Sequence, residues 1–500
     1  MEKDSFFKNT FILTLSNLTT GVLGFMFSII LSRELGPEGM GLYGLVMPIY
    51  NLFICLICGG IITAVSKISA EFIGNKDYKS LDKMVKSTLI FNIIWSSIVV
   101  VFVYMFSLQI ATYIIKDPRT LVALRLTCPA MFFIALSNTL KGYFYGTLNI
   151  KIPAFIDISE KAIRIGVIFS IVEVFQIQGI TSTVTAAYIA LCFGELISLV
   201  LLFIYYKLDI KKHPHSIQKG EGRAQLMFNI LVISLPLCLN GFLSTILSTI
   251  STLMVPRRLV SAGIEYSSAL SMIGKFTGMS LNIVFFPLII IGSIATVLIP
   301  DLSQNLSKKD YYKLQNRIGE VLRIALILGL STLIICLIIP NQLGELFFRR
   351  NDLGNYIKFA AFSAPLFYPA VTTFAVLNGI GKQNIILRNS LIVSFIEVGV
   401  LYFFMAIPNI NIYGYGISLI ITSIITLILN LHEIKKHIGL MLSPYNIIVI
   451  FLVAILVYYF ISIATKMIPD TLFVTKNIII LVLGFGLMFL ITTIVRKRTS

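Results

Sequence analysis

Long apolar stretches dominate the chain and restrict its fold more than any other feature. By our count about fourteen of them reach roughly 20 residues, enough for a helix to cross a hydrocarbon core of about 30 Å. Only 13% of the residues are charged and 57% are hydrophobic, whereas soluble domains average about 25% charged residues. No stretch alternates with the period of two that a barrel strand would need. The sequence therefore predicts an all-α integral membrane protein.

The predicted spans cover most of the chain. The segment at 267–299 is long for one helix, and Pro287 is expected to break it, because proline removes a backbone hydrogen bond. The first span lacks a small-residue cleavage site, so it is not read as a cleavable signal. The spans are 9–31, 43–66, 85–109, 121–147, 153–175, 182–206, 227–252, 267–299, 319–340, 356–379, 384–407, 412–431, 446–465 and 474–495.

The distribution of charge predicts how the spans are oriented. Most of the 40 Lys and Arg residues fall in or beside alternate loops, and the opposite loops at 176–181 and 408–413 carry no charge. Cytoplasmic loops are enriched in Lys and Arg, so we expect both termini in the cytoplasm. The net charge of +17 then reflects topology, and no nucleic-acid partner is expected. The basic clusters are at 76–86, 141–161, 207–223, 308–323 and 496–498.

A polar motif occurs twice along the chain. Asn75–Leu81 recurs as Lys308–Leu314, with Lys, Asp, Tyr and Leu in register 233 residues later, and segments beginning at Pro129 and Pro365 form a second pair. A repeat within membrane-spanning sequence is typical of transporters built from two similar bundles. Spans 1–6 and 7–12 are therefore predicted to be homologous halves. Because six is even, the halves have the same orientation.

The repeat divides the chain into four predicted parts. These are an N-lobe with spans 1–6 at 1–207, a cytoplasmic linker at 208–225, a C-lobe with spans 7–12 at 226–432, and an addition at 433–500 that holds spans 13 and 14 and a basic tail. The linker contains His213 and His215, which are read as part of a solvated loop. No loop is long enough to hold a soluble catalytic domain, so the protein is expected to act within the bilayer.

Several kinds of chemistry are not expected. Cys55 and Cys58 form a C-x-x-C pair, but they lie in an apolar helix without nearby histidine or acidic residues, so a structural role is favoured over a metal site. No G-x-x-x-x-G-K-[ST] loop is present, which excludes ATP hydrolysis through a P-loop. We expect no cofactor, no metal and no enzymatic activity. Membrane potential, an ion gradient and downstream consumption of the product all remain open as energy sources.

Three segments carry a family resemblance: 31–43 (LSRELGPEGMGLY), 74–81 (GNKDYKSL) and 141–146 (KGYFYG). Together they resemble the polysaccharide-exporter branch of the MOP flippase superfamily, and most closely its stage V sporulation protein B and lipid II flippase group. The similarity extends over essentially the whole chain, including the number of spans and the basic central loop. Its motifs distinguish this branch from other transporters but do not specify a substrate.

The resemblance implies a fold of two six-helix lobes that open alternately to either side of a bacterial cell membrane. It implies translocation of undecaprenyl-pyrophosphate-linked sugars, with lipid II for spore cortex or cell wall as the expected substrate. The two additional helices match the lipid-flippase branch, where they form a groove for the lipid tail. Membrane lipids are expected partners, and cell-wall synthesis proteins are a further candidate.

Cationic residues are the candidates for binding the head group. Unpaired charge in the bilayer is costly, and the planar fork of arginine bonds phosphate oxygens in pairs. Arg33 ends the first span and is the leading candidate, opposed in the other half by Arg257 or Arg258; the alternative is an interfacial arginine that reaches the headgroups or pairs with Glu34. The remaining candidates for the cavity are Lys67, Arg125 and Lys275.

Some charged residues have an equally plain structural interpretation. Lys67 and Glu71 are four residues apart, which predicts an ion pair on one helical face. Arg164, with Lys141 and Lys161, lies at the cytoplasmic ends of spans 4 and 5 and is expected to meet lipid headgroups, with guidance of substrate entry as the alternative. The deepest acidic residues are Glu195 and Glu397, which are candidates either for ion coupling or for a structural pair.

Two rival functions remain at this point. A multidrug or organic-cation antiporter of the same superfamily predicts a cavity dominated by acidic and aromatic residues, whereas the candidates here are mostly cationic. A membrane-embedded glycosyltransferase or polymerase would need paired acids or a metal near an interface and a sizeable loop for the sugar donor. The sequence offers neither of these, so a non-enzymatic flippase is the preferred interpretation.

Overall fold

A computed structural model of the chain describes residues 2–175, 179–212, 222–439, 444–469 and 472–499. Within these ranges the regular structure is entirely helical. The helices form two compact units, Met1–Leu253 and Met254–Ser500. The central part of the predicted linker, with His213 and His215, lies outside the described residues.

The first unit contains long helices with short connections. A π-helical turn, π1 (Ile110–Ile115), and a 3₁₀ turn (Pro118–Thr120) precede its fourth helix. Its last helix continues into the second unit. The helices are α1 (Glu2–Cys58), α2 (Ile61–Gly74), α3 (Tyr78–Met105), α4 (Leu121–Gly146), α5 (Lys151–Phe175), α6 (Ile180–Ile210) and α7 (Arg223–Ser261).

The second unit begins with a broken helix. A second π-helical segment, π2 (Gly274–Ser280), separates its first two pieces, and Pro287 lies at the next break, as predicted. The remaining helices are again long, except Pro340–Phe348 and Gly354–Ala361, which have 9 and 8 residues. They are α8 (Tyr266–Ile273), α9 (Leu281–Phe285), α10 (Leu288–Ser307), α11 (Tyr311–Ile338), α12 (Pro340–Phe348), α13 (Gly354–Ala361), α14 (Ala364–Gly379), α15 (Gln383–Phe404), α16 (Tyr413–Ile438), α17 (Pro444–Met467) and α18 (Phe473–Thr499).

The predicted number of spans is approximate. Among the described residues, eleven helices are long and apolar enough to cross a membrane, and the bent pair α13–α14 makes twelve. Ile12–Gly74 counts once although it contains two of the predicted spans. Helix α5 is not among the eleven, since Asp157, Glu160, Lys161 and Arg164 interrupt its apolar sequence. Each predicted span nevertheless overlaps a helix.

A bend at Gly36 divides α1 into two spans. The backbone there has φ 63° and ψ −177°, which is not helical. Positive φ is easily adopted by glycine, and the following Pro37 disfavours a helical conformation at the preceding residue. The chain therefore turns between the first two predicted spans, 9–31 and 43–66.

Helix bounds in the second unit repeat those of the first at the spacing of the polar motif. Helices α3 and α11 both have 28 residues and start 233 residues apart. Left-handed backbone conformations recur at the same spacing, at Lys76 and Lys309 with φ 55° and 56°, and at Lys116 and Arg349 with φ 65° and 53°. The sequence repeat thus corresponds to a repeat of local structure.

The repeated motif starts a helix in each copy. Asp77 accepts a hydrogen bond from the backbone N–H of Ser80 at 3.0 Å, and Asp310 accepts one from that of Lys313 at 3.2 Å. An aspartate in this position satisfies an N–H group that has no partner within the helix. The motif is therefore explained by helix capping.

The boundaries of the two predicted lobes, at residues 207 and 226, stay a prediction.

Candidate functional site

A buried cluster of charged residues lies in the first unit, between α5 and α6. Arg164 forms an ion pair with Glu160 one turn earlier on α5, and its Nη2 atom lies 3.4 Å from Oε1 of Glu195 on α6. The exposed fractions are 5% for Glu160, 8% for Arg164 and 8% for Glu195. A buried charge is tolerated only when it is paired, so the three side chains depend on one another.

The local sequence explains how the cluster forms. Glu160 and Arg164 are four residues apart and therefore share one face of α5. Gly194 precedes Glu195 and allows a close approach, because a Cβ atom there would lie 2.9 Å from Oε1 of Glu160. The glycine thus leaves room for the carboxylate of the neighbouring helix.

Aromatic residues of α1 and α6 surround the cluster. The guanidinium of Arg164 lies 5.8 Å from the centroid of the Phe27 ring. The rings of Tyr43 and Tyr188 stack at 5.0 Å, and the Tyr188 hydroxyl donates to the Tyr43 carbonyl at 2.9 Å. The buried hydroxyl of Tyr50 and Nε of Arg164 have no hydrogen-bond partner among the described residues. Such groups often mark a place for water or an ion.

Two lysines balance the charge around the cluster. Lys161 lies 2.8 Å from Oε2 of Glu160, and Lys141 lies 2.7 Å from Oδ1 of Asp157 on the same helix. Arg164 and Lys161 therefore match the charges of Glu160 and Glu195. The buried acidic residues of the first unit are neutralised within the protein.

The i,i+4 pattern predicted the wrong ion pair. Lys67 and Glu71 are both exposed and form no ion pair with each other in the part of the chain that the structure describes. Glu160 and Arg164 have the same spacing and do pair. The prediction that Arg164 meets lipid headgroups is wrong, because the side chain is buried and paired with Glu160 and Glu195. Burial, which depends on how the helices pack, distinguishes the two cases.

The cationic candidates of the first unit lie on three helices and are all exposed. Arg33 is on α1, Lys67 on α2 and Arg125 on α4. Nε of Arg125 donates to the Ser107 hydroxyl at 3.0 Å, and its guanidinium lies 5.2 Å from the centroid of the Tyr104 ring.

Lys275 lies in the second unit within π2 and belongs to an ionic cluster. Its Nζ atom is 2.8 Å from Oδ2 of Asp352, and Arg350 binds both oxygens of the same carboxylate at 2.8 and 2.7 Å. The hydrogen bonds from Arg350, assisted by Lys275, hold the pKa of Asp352 well below its usual range. Lys275 is therefore compensated by a carboxylate.

The other candidates of the second unit are half-buried. Nε of Arg258 donates to the backbone carbonyl of Tyr402 at 2.9 Å, and its guanidinium lies 3.9 Å from the centroid of the Tyr402 ring. This cation–π contact holds the end of α7 against α15. Arg257 precedes it on α7, and Glu397 lies on α15.

Known proteins similar to this chain include a sporulation protein and a lipid II flippase. It is 26% identical to stage V sporulation protein B of Bacillus subtilis (strain 168), over 87% of this chain and 85% of that protein. It is 22% identical to the lipid II flippase MurJ of the same organism, over 86% of this chain and 83% of MurJ. The relatives whose activity is named are flippases and transporters rather than enzymes.

Solved structures show the same fold. A structure of the lipid II flippase MurJ in an inward closed conformation matches with a TM-score of 0.72 and 15% identity, over 98% of this chain and 99% of that one. An inward-facing multidrug MATE transporter matches with a TM-score of 0.67 and 16% identity, over 85% and 98%. The fold is therefore common to transporters of both kinds.

The family model described as "polysaccharide biosynthesis protein" matches residues 6–306, which is more than half of the chain. The two relatives extend the similarity over most of the remaining residues. Many apolar helices and a transporter fold agree with that match. The chain thus belongs to the polysaccharide biosynthesis protein family and is a multi-pass membrane protein with a fold that transporters share.

Proposed function

We propose that the protein moves an undecaprenyl-pyrophosphate-linked sugar, in particular lipid II, across the cytoplasmic membrane by alternating access. The similarity to MurJ over most of both chains supports this class of substrate. The similarity to a sporulation protein supports a use in spore cortex or cell-wall synthesis. The proposed topology has both termini in the cytoplasm, following the distribution of Lys and Arg.

The balance of charge in the first unit is the observation that carries this proposal. Its buried carboxylates, Glu160 and Glu195, are matched by Arg164 and Lys161. Lys67 is exposed and has no carboxylate partner among the described residues. Lys67 is therefore a positive charge that an anionic ligand can bind. A diphosphate fits such a surface better than an organic cation does.

We propose that Arg33 and Lys67 contact the diphosphate, with Arg125, Arg257, Arg258 and Lys275 as further contacts. Arg125 and Arg258 retain guanidinium N–H groups beyond those used by Ser107 and Tyr402. Lys275 would first have to break its ion pair with Asp352, since its Nζ atom lies 2.8 Å from Oδ2 of that residue. This makes Lys275 the weakest member of the set.

An organic-cation antiporter is the second candidate function. Glu397 supports it, because this half-buried carboxylate forms no ion pair within the described part of the chain. The fold shared with a multidrug MATE transporter is compatible with it. Coupling to an ion through Glu195 or Glu397 stays a prediction under either function.

Transport in liposomes tests the two functions directly. Purified protein reconstituted with fluorescent lipid II should make the lipid accessible to a membrane-impermeant quencher faster than protein-free liposomes do. Uptake of a fluorescent organic cation under a proton or sodium gradient should stay at the background rate. The opposite pair of results would exclude the flippase proposal and favour the antiporter.

Reversing the charge of Arg33 tests the proposed contact. Hydrogen bonds to charged groups contribute about 1.5–3 kcal/mol, and 1.4 kcal/mol corresponds to about tenfold in rate or affinity. We therefore expect Arg33→Glu to lower the initial rate of lipid II translocation by about tenfold or more. Arg33→Lys keeps the positive charge but loses the planar guanidinium that binds two phosphate oxygens. Its translocation rate should therefore lie between those of the unaltered protein and Arg33→Glu.

Lys151→Glu is the matched control, because Lys151 is an exposed cation of the same unit that is outside the proposed contact set. Its translocation rate should equal that of the unaltered protein. Equal rates for Arg33→Glu and Lys151→Glu would remove Arg33 from the substrate path.

A further inference from the structure

An apolar groove of about 200 Å³ lies in the first unit. Eight of its nine lining side chains are apolar. They come from three elements, with Ile49 and Phe53 on α1, Ile110 and Ile114 on π1, and Ile250 on α7. Spacings of three and four residues place the contributing side chains on one face of each helix. The groove is therefore a feature built by three separate segments.

The groove has a buried floor and exposed edges. Ile49 and Ile110 are 2% and 5% exposed, whereas Ile114 and Ile250 are each 47% exposed. The edges belong to different elements, π1 and α7. The space is thus accessible from outside while its base is sealed by the protein.

The ninth lining residue offers no polar anchor. The Thr249 hydroxyl lies 2.7 Å from the Thr245 carbonyl and 3.3 Å from the Pro48 carbonyl. A hydroxyl has a single proton to donate, and here the helix backbone takes it. An occupant with ester or headgroup atoms would therefore find no hydrogen-bond donor on these side chains.

The π-helical wall suggests that the groove is more than a packing defect. π-Helical turns are rare, well under 1% of residues, and are frequent at functional sites. In π1 the turn brings Ile110 to the floor and Ile114 to the edge. A regular α-helix would rotate these two side chains differently relative to α7.

We propose that this groove binds a stretch of the single polyprenyl chain of the translocated lipid. The inference rests on the proposed function, which supplies a substrate with one long tail. A volume of about 200 Å³ corresponds to roughly six or seven water-sized volumes of about 30 Å³. That is room for a short length of one chain, and a chain without polar atoms matches the lining. Helices α17 and α18, the tail groove implied by the resemblance, are a different part of the molecule.

Binding here depends on shape. Lipid tails are as apolar as leucine, so association within a bilayer relies on van der Waals packing. An isoprenoid chain carries methyl branches that can pack among isoleucine side chains, whereas a phospholipid brings two chains and ester groups. A larger side chain at the groove edge should therefore exclude the tail by steric overlap.

Photo-crosslinking in proteoliposomes of the full chain tests the proposal. The probe is a polyprenyl diphosphate with a diazirine midway along its tail, compared with phosphatidylglycerol that carries a diazirine in one acyl chain. We expect the polyprenyl probe to label peptides containing 110–114 and 246–253 more strongly than the phospholipid probe does. An excess of unlabelled polyprenyl diphosphate should compete with this labelling.

Ile250→Trp should reduce labelling of the groove by about tenfold, which corresponds to about 1.4 kcal/mol. Leu243→Trp is the matched control, since Leu243 lies on the same helix, does not line the groove, and is 49% exposed against 47% for Ile250. The control should be labelled like the unaltered protein. The competition experiment needs no variant and decides the matter if Ile250→Trp does not fold.

Labelling confined to α17 and α18 would overturn the inference, and so would equal labelling of the groove by both probes. Failure of unlabelled polyprenyl diphosphate to reduce the labelling would also overturn it. The proposed function is judged separately by lipid II translocation. A protein that translocates lipid II without labelling of the groove retains the function and loses this site. A protein that labels at the groove without translocating lipid II retains the site and loses the proposed function.

Discussion

Arg164→Met is expected to lower the free energy of unfolding by about 3–5 kcal/mol, because removal of one partner from a buried ion pair leaves an uncompensated charge. Here two carboxylates depend on the same guanidinium, Glu160 and Glu195. Methionine preserves much of the side-chain length and removes the charge. The measurement is unfolding of the purified protein in mixed micelles by titration with a denaturing detergent.

A double variant and an exposed control sharpen this test. Arg164→Met combined with Glu195→Gln should recover part of the lost stability, since one buried charge is then removed. Arg317→Met should change stability by about 1 kcal/mol or less, because Arg317 pairs with Asp301 and Glu320 while all three side chains are at least 35% exposed. Equal effects of Arg164→Met and Arg317→Met would contradict the account of the buried cluster.

Gly146→Val is expected to be the second severe substitution. Gly142 and Gly146 form a G-x-x-x-G pair on α4 that allows close contact with α2. A Cβ atom at Gly146 would overlap the Ser66 carbonyl and lie 2.5 Å from Cβ of Ser69. Overpacking costs about 1–3 kcal/mol, and the upper end applies because a backbone atom cannot move aside. Reduced yield of monodisperse protein and a lower free energy of unfolding are the measurements.

Gly166→Val provides the comparison on α5. A Cβ atom there would meet nothing within 4 Å. The free energy of unfolding should therefore change only by the small difference in helix propensity between glycine and valine. This variant should be purified at normal yield and unfold like the unaltered protein. If Gly146→Val behaved in the same way, α4 and α2 would be shown to separate at little cost.

Local structure was the part most accessible from sequence. Pro287 marks a helix break, as predicted, and the motif identified as a repeat starts a helix at Asp77 and at Asp310, a role that was not predicted. These features depend on bonds between residues a few positions apart, which a linear pattern displays. The bend at Gly36 before Pro37 also has a local cause, although it was not predicted.

The charged residues were harder to assign, for a physical reason. Lys67 and Arg164 each have an acidic residue four positions away, so their sequence patterns are alike. Removing a charge from water is costly, so the buried side chains of Glu160 and Arg164 must pair. The exposed side chains of Lys67 and Glu71 stay in contact with solvent and need no partner. That cost depends on burial, and burial of Arg164 results from the packing of α5 against α6 and α1.

The amino-acid sequence by itself determined that the chain is a bundle of membrane helices with an internal repeat of 233 residues, because hydrophobic runs and helix caps act over short distances. Tertiary structure alone decided which charges are neutralised, as in Glu160, Arg164 and Glu195, and where three helical segments leave an apolar groove. Burial and cavity shape arise only when distant segments meet, and no spacing along the chain encodes them directly.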